Sequence, residues 1–418
     1  MIELDGSSVE RKPHMISRRG VVAALAGSGA LLAAPSVTRA QAGPIRIGAL
    51  NPITGSGSPY GSGMQKMIVA VAEAINAAGG AAGRQIEIFA EDTQTNPQPA
   101  VLAAKKLIEA NKVQAILGTF SSGVSLAVLP LCNDAGIPLF HCSGAPALST
   151  PPVNARGLGF RFQATNERFG RAFAEICARE GFKRPATMAF NNASGVGNTE
   201  GFRKAWEARG GKVFESVVYE PNQSSYRSEL MKVLAAKPDV IVTGSYLADT
   251  TIILREWFQS GQPAKWIIPG WAANPDLVKA LGPDVTEGII SVESVSNEQA
   301  EAFKLYDADY RRATKQPGIS NAYAAMAWDM MTVLGLAIEA ADTTDITTVV
   351  AKMREVGNPP GTTVSSFAEG KAALKNGKVN LQGASSALDF DQYGDVTPDF
   401  GASFIAGGKL DRRYVVKI

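Results

Sequence analysis

Between residues 45 and 80 the apolar positions first alternate and then fall on a helical period. Ile45-Arg46-Ile47-Gly48-Ala49-Leu50 reads as a β-strand. A polar loop, 51–60, ends at Tyr60. From about Ser62 the residues Met67, Ile68, Val71, Ala74 and Ile75 predict a helix that Gly79-Gly80 stops. The unit recurs. Strands are expected at 85–91, 113–118 and 138–142, with helices at 97–111 and 124–135 between them. After Phe160–Thr165 a second set begins: helices near 166–181, 199–210, 226–236 and 249–261, strands near 185–190, 212–219, 240–244 and 266–269. Strands alternating with helices predict two α/β lobes, each a doubly wound parallel sheet, with a cleft between them. A long helix over 320–341 is apolar on most sides and so packs as core. Asp389–Asp395 reads as a turn into a final strand pair, 402–406 and 413–418.

In such sheets small ligands sit beyond the carboxyl ends of the strands. Several loops there are rich in hydroxyl, Asn and Gly residues and come immediately before a helix; Ser121-Ser122-Gly123 is the clearest. The first helical turn offers free N–H groups and a partial positive charge, enough to hold a carboxylate without Lys or Arg. The alternative is that Ser121 or Ser122 only caps its own helix. Tyr60 is the large side chain of the first loop.

Composition narrows the class. The 418 residues are 45% apolar and 19% charged, as in a globular protein with a sizeable core. Five basic and three acidic residues fall in 1–42, leaving 36 of each beyond, so neither nucleic acid nor an anionic membrane is expected as a partner. Arg18-Arg19 precede an uncharged apolar stretch to Ala34 and small residues at Ala40-Gln41-Ala42. Those are the parts of a cleaved export signal of twin-arginine type, with cleavage near Ala40 or Ala42 and with Met15 as an alternative start. No later stretch reads as a membrane span, so a soluble, periplasmic mature protein is expected. Cys132, Cys142 and Cys177 are read as buried thiols. His14 and His141 are the only histidines, so no metal site is expected.

No dinucleotide fingerprint, phosphate-binding P-loop or nucleophile elbow is present, and Ser194-Gly195, placed in a loop over 191–198, lacks a triad. A catalytic role and a cofactor are therefore not expected. Asp389–Asp395 is too short for a calcium loop.

The segments IRIGALNPITG, YGSGMQ, EAINAAGG, GRQIEI, EDTQTNPQPAV, VQAILGTFSSGVSLAVLPL and VNLQGASSALDFDQYGDVT, in unbroken order over about 45–415, resemble the leucine-type periplasmic binding proteins of ABC importers. The resemblance implies the type I two-lobed fold with three hinge crossings, near 163–165, 292–294 and 388–390. Lobe 1 would be 43–163 plus 294–388, and lobe 2 would be 164–293 plus 389–418, after a signal at 1–42. It implies capture of a small amino acid or organic acid and delivery to an ABC permease in the inner membrane. An enzyme on a nucleotide-binding α/β fold and a ligand-sensing regulator of the same fold are the rival readings. By the same resemblance Tyr60 packs over the ligand, Ser122 takes its carboxylate beside Ser121, and Ser143-Gly144 stand where the family has an Ala-Thr pair. Ser194 replaces a Tyr, Tyr246 keeps one, and the family's acid for the ligand ammonium falls on or beside Gly270-Trp271. Without that acid an α-amino acid would have to use Asp249 or another carboxylate. The expectation is a carboxylate or amide ligand, with or without an α-amine, stacked by Trp271 and Tyr60; the alternative for Trp271 is plain core.

Overall fold

The computed structural model describes residues 43–418, so the export-signal reading of 1–42 lies outside the described residues. Strand β1 (Ile45–Asn51) is buried at every position but Arg46. That pattern belongs to a parallel sheet covered on both faces. It is joined by β2 (Ile86–Asp92), β3 (Ala115–Thr119), β4 (Leu139–His141) and β5 (Gly159–Arg161) in the order β2-β1-β3-β4-β5, all parallel.

The second sheet has β6 (Pro185–Phe190), β7 (Ser216–Tyr219), β8 (Val240–Gly244), β9 (Lys265–Pro269) and β10 (Ile290–Ser294), mutually parallel. A separate two-stranded parallel ribbon, β11 (Thr362–Val364) and β12 (Val379–Leu381), lies outside both sheets. β13 (Phe400–Ala406) and β14 (Lys409–Val416) then extend the second sheet in antiparallel fashion, giving β14-β13-β10-β9-β8-β6-β7. Gly407 and Gly408, both at positive φ, make the tight turn of that last hairpin. The chain thus enters the second sheet after β5, leaves it after β10 and returns at β13.

Between β10 and β11 lie helices 301–314, 322–341 and 346–357, the first and third of which the sequence periodicity does not mark. The twenty-residue helix Ala322–Ala341 is long and apolar enough to cross a membrane, contrary to the expectation that no later stretch is. Its side chains are mostly buried, packed on helix 58–77, helix 346–357 and β3, which makes it core of the first sheet's layer.

Two polar ties hold the chain crossings. The Ser294 hydroxyl donates to Gln163 Oε1. Arg161, fully buried, donates from Nε to Asp395 Oδ1 at 3.0 Å and from its terminal nitrogens to the carbonyls of Ser143 and Ala145. Asp391 accepts from the backbone N–H groups of Tyr393 and Asp395, so the acidic stretch is a turn. All three cysteines are free and buried.

Candidate functional site

Loops at the carboxyl ends of both sheets meet around a cavity with about 300 Å³ of empty space, counting its open part. Of the residues singled out in the sequence, Gly144, Ser194, Tyr246 and Trp271 line it. Phe120, Cys142, Gln163, Ala164, Asn166, Phe169 and Tyr323 complete the wall and were not foreseen.

On the first-sheet side, Ser121 occupies the N-cap position of helix 122–135, yet its side chain makes no cap bond. The Ser121 side chain stands near the Tyr246 phenol of the other sheet and favours its ionised form. The capping alternative therefore does not describe Ser121. Ser122 accepts from Ala145 N–H at 3.2 Å, which leaves its own proton uncommitted. Ser143 differs from expectation: its hydroxyl donates to Phe120 O at 3.0 Å and lies 2.6 Å from Ser125 Oγ, turned into the protein. Gly144 is pressed against the second-sheet layer. A Cβ there would stand 1.9 Å from Asn166 Oδ1, so any other residue would have to displace Asn166.

Tyr60 stands behind the wall rather than in it. Its ring packs on Phe120 (centroids 5.8 Å) and edge-on to Tyr323 (5.0 Å). Its hydroxyl accepts from Asn274 Nδ2 at 2.9 Å, a bond from the first turn of helix 58–77, where Tyr60 sits instead of in the expected loop, to the loop after β9. Asn274 is fixed because its Oδ1 caps helix 275–281 by accepting from Asp276 and Leu277 N–H.

On the second-sheet side, Ser194 sits in the first turn of helix Ala193–Ala208, not in a loop. Asn192 caps that helix, accepting from Gly195 N–H at 2.7 Å, so it begins well before the start near 199 that periodicity indicates. Tyr246 also accepts from Asn192 Nδ2 at 3.3 Å, and burial raises its phenol above the ordinary value. Trp271 donates from Nε1 to Ser245 O at 2.9 Å and meets Phe169 edge-on at 5.1 Å. It lies on the cavity wall and also packs in the buried core.

The charge at the site differs most from expectation. Asp249 is not available: it accepts from Tyr219 Oη and from Tyr246 N–H, locked beneath its own helix. Yet an acid does lie beside Gly270. Glu293, at the end of β10, lays its carboxylate over that glycine, where a Cβ would be 2.6 Å from Glu293 Cβ. Burial pushes Glu293 up to about 7. It accepts from Ser294 N–H (3.0 Å), Gln163 Nε2 (3.3 Å) and Tyr323 Oη (3.4 Å). Among the described residues no group of three or more His, Cys, Asp or Glu is placed to hold a metal.

A family model described as periplasmic binding protein matches residues 44–378. A Leu/Ile/Val-binding protein homologue of Brucella melitensis is 24% identical, over 77% of this chain and 86% of its own length. A leucine-binding protein from Thermotoga maritima superposes with a TM-score of 0.76 at 21% identity, covering 89% of this chain and 99% of its own. A solute-binding protein of an ABC transporter from Rhodopseudomonas palustris, in complex with benzoate, gives 0.71 at 21% identity, covering 89% and 96%. All three are binding proteins, not enzymes. With its two α/β sheets of type I arrangement, the chain belongs to the periplasmic binding protein family.

Proposed function

We propose that this protein is the extracytoplasmic solute receptor of an ABC importer. After removal of the segment ending near Ala40 or Ala42, it captures a small carboxylate-bearing solute in the cavity and presents it to a permease of the inner membrane. Lobe 1 (43–163 with 294–388) and lobe 2 (164–293 with 389–418) hinge at the three crossings. A solute that touches both lobes only when they are shut shifts the population toward the closed form.

One observation carries the reading. Side chains from both sheets, Phe120 and Tyr323 on one side with Ser194, Tyr246 and Trp271 on the other, line a single cavity. In the proposed roles, Ser122 and the first turn of its helix hold the solute carboxylate. Ser121 and Tyr246 close over it, Gly144 and Ser194 shape the wall, and Trp271 covers the apolar body. Tyr60 and Ser143 act from behind, by packing and by holding the loop.

The test is calorimetric titration with neutral L-amino acids and with aliphatic and aromatic carboxylates. One class should bind with micromolar or better affinity, and Ser122→Ala should weaken it by about tenfold, one charge-assisted hydrogen bond, with a modest drop in the thermal midpoint from the stranded Ala145 N–H. An unchanged affinity in Ser122→Ala would remove the carboxylate from that loop. Silence toward the whole panel would end the reading.

A further inference from the structure

Arg161 ends β5 with its guanidinium fully buried, and its counter-charge, Asp395, is nearly so. Asp395 lies where the chain runs beside β5 on its way to β13: Arg161 N–H donates to Gly394 O at 2.9 Å, and Val396 N–H to Arg161 O at 3.2 Å. Arg161 Nε donates to Asp395 Oδ1 at 3.0 Å. Ser149 closes the triangle, its hydroxyl donating to Asp395 Oδ2 at 2.6 Å and accepting from Arg161 Nη2 at 2.9 Å. Nη1 donates to Ser143 O, and Nη2 also to Ala145 O at 3.0 Å. The guanidinium thus grips the carbonyls on either side of Gly144.

That short loop meets the site at two points. Gly144 lines the cavity, and its carbonyl accepts from Asn166 N–H at 2.7 Å; Asn166 in turn donates from Nδ2 to Ala193 O at 3.0 Å, beside Ser194. Ala145 is held on both sides, its carbonyl by Arg161 and its N–H on Ser122 Oγ at 3.2 Å. A guanidinium does not give up its proton, so burying it requires a counter-charge. Without the carboxylate the cation is drawn toward water, and both carbonyls lose a charge-assisted donor. Neither Arg161 nor Asp395 lines the cavity, so their effect on a solute passes through the loop.

We propose that Arg161 and Asp395 are positioning residues for solute binding: the pair sets the 143–145 loop so that Gly144 backs onto Asn166 and the Ser122 hydroxyl is aimed at the solute carboxylate. This rests on the reading of the cavity as the solute site and of Ser122 as the carboxylate's partner. The one fully buried cation behind the loop therefore serves an anion that it never touches, by fixing the hydroxyl that does.

The test is a double-mutant cycle read by calorimetric titration. The probe is whichever of L-leucine, L-valine, 4-methylpentanoate and benzoate the parent binds most tightly. Asp395→Asn should weaken it about tenfold, and Ser122→Ala by a similar factor. The double variant should bind no more than about twentyfold more weakly than the parent, because the placement of a hydroxyl no longer matters once it is gone. Independent losses would instead multiply to about 100-fold. That result, or an affinity in Asp395→Asn that is unchanged or tighter, overturns the proposal and leaves the solute-receptor reading standing. If Ser122→Ala binds like the parent, the carboxylate is not on Ser122, and the positioning role falls with it. A parent that binds none of these probes overturns both. Should Asp395→Asn not fold, Ser149→Ala loosens the same pair without stranding a charge. It should weaken the probe about threefold in the parent and not at all in Ser122→Ala; equal losses in the two backgrounds overturn the proposal.

Discussion

Asp329 and Glu293 are two acids in the same half of the chain, each pushed up to about 7 by burial, and their surroundings are opposite. Asp329, in the middle of helix 322–341, accepts from Ala384 N–H at 2.8 Å, Ser385 N–H at 2.7 Å and Ser385 Oγ at 2.6 Å. Gly383 is pressed so close that a Cβ would meet Asp329 Oδ2 at 2.6 Å. The loop after β12 is therefore wrapped on that carboxylate with no room left. Glu293 has one backbone donor at 3.0 Å and two side-chain donors beyond 3.2 Å that face a cavity. Equal shifts do not mean equal roles. Short donors on all sides mark a carboxylate that holds the fold, and longer, weaker donors mark one held less tightly.

The largest effect that would break this contrast is on stability. Asp329→Ala strands the N–H groups of Ala384 and Ser385 and should lower the urea unfolding free energy by roughly 3 kcal/mol. Glu293→Ala, whose side-chain donors are long and weak, should lower it by less than about 1 kcal/mol. Comparable losses would erase the distinction. Next in size is the bond from helix 58–77 to the loop after β9. Tyr60→Phe deletes the acceptor of Asn274 Nδ2 and, at about 1 kcal/mol, should weaken solute binding about fivefold with the ring packing intact. Calorimetry that finds no change would mean the Tyr60–Asn274 contact does not report closure.

The smallest effect is on pH dependence. Glu293 has a folded value raised above its unfolded one, so its stabilising contribution is full below the unfolded value and is lost as pH rises through about 7. Glu293→Gln carries no such proton. Without solute, its unfolding free energy should gain on the parent's between pH 5 and pH 8, by less than about 1 kcal/mol because the carboxylate is partly exposed. Thermal midpoints that run parallel across that window would show Glu293 to be ordinarily solvated.

Much of the architecture could be read from periodicity, since strands such as 240–244 and helices such as 58–77 are bounded by Gly, Pro and Asn at their ends. The site was legible where one loop carried the signal by itself: Tyr246, Trp271 and Gly144 stand at strand ends in the sequence and at the cavity in space. Glu293 was not, because its meaning comes from the pairing of β10 with β9, which sets an acid against a glycine 23 positions earlier. Asn166 was hidden for the same reason: only across the crossing does it meet Gly144. Ser143 misled because a hydroxyl in a polar loop looks the same whether it faces a solute or the carbonyl of Phe120. Ser194 was displaced by a helix that begins on Asn192, an end signal outweighed by Gly195 and Gly197 in the periodicity.

Trp271 has a further use. Among the described residues it is the single indole on the cavity wall, held by Ser245 O and by Phe169. Trp206, Trp257, Trp266 and Trp328 lie elsewhere in the two layers. Its emission will respond to whatever displaces water from its face, so the unlabelled protein carries its own optical reporter, and a Trp271→Phe control isolates that signal.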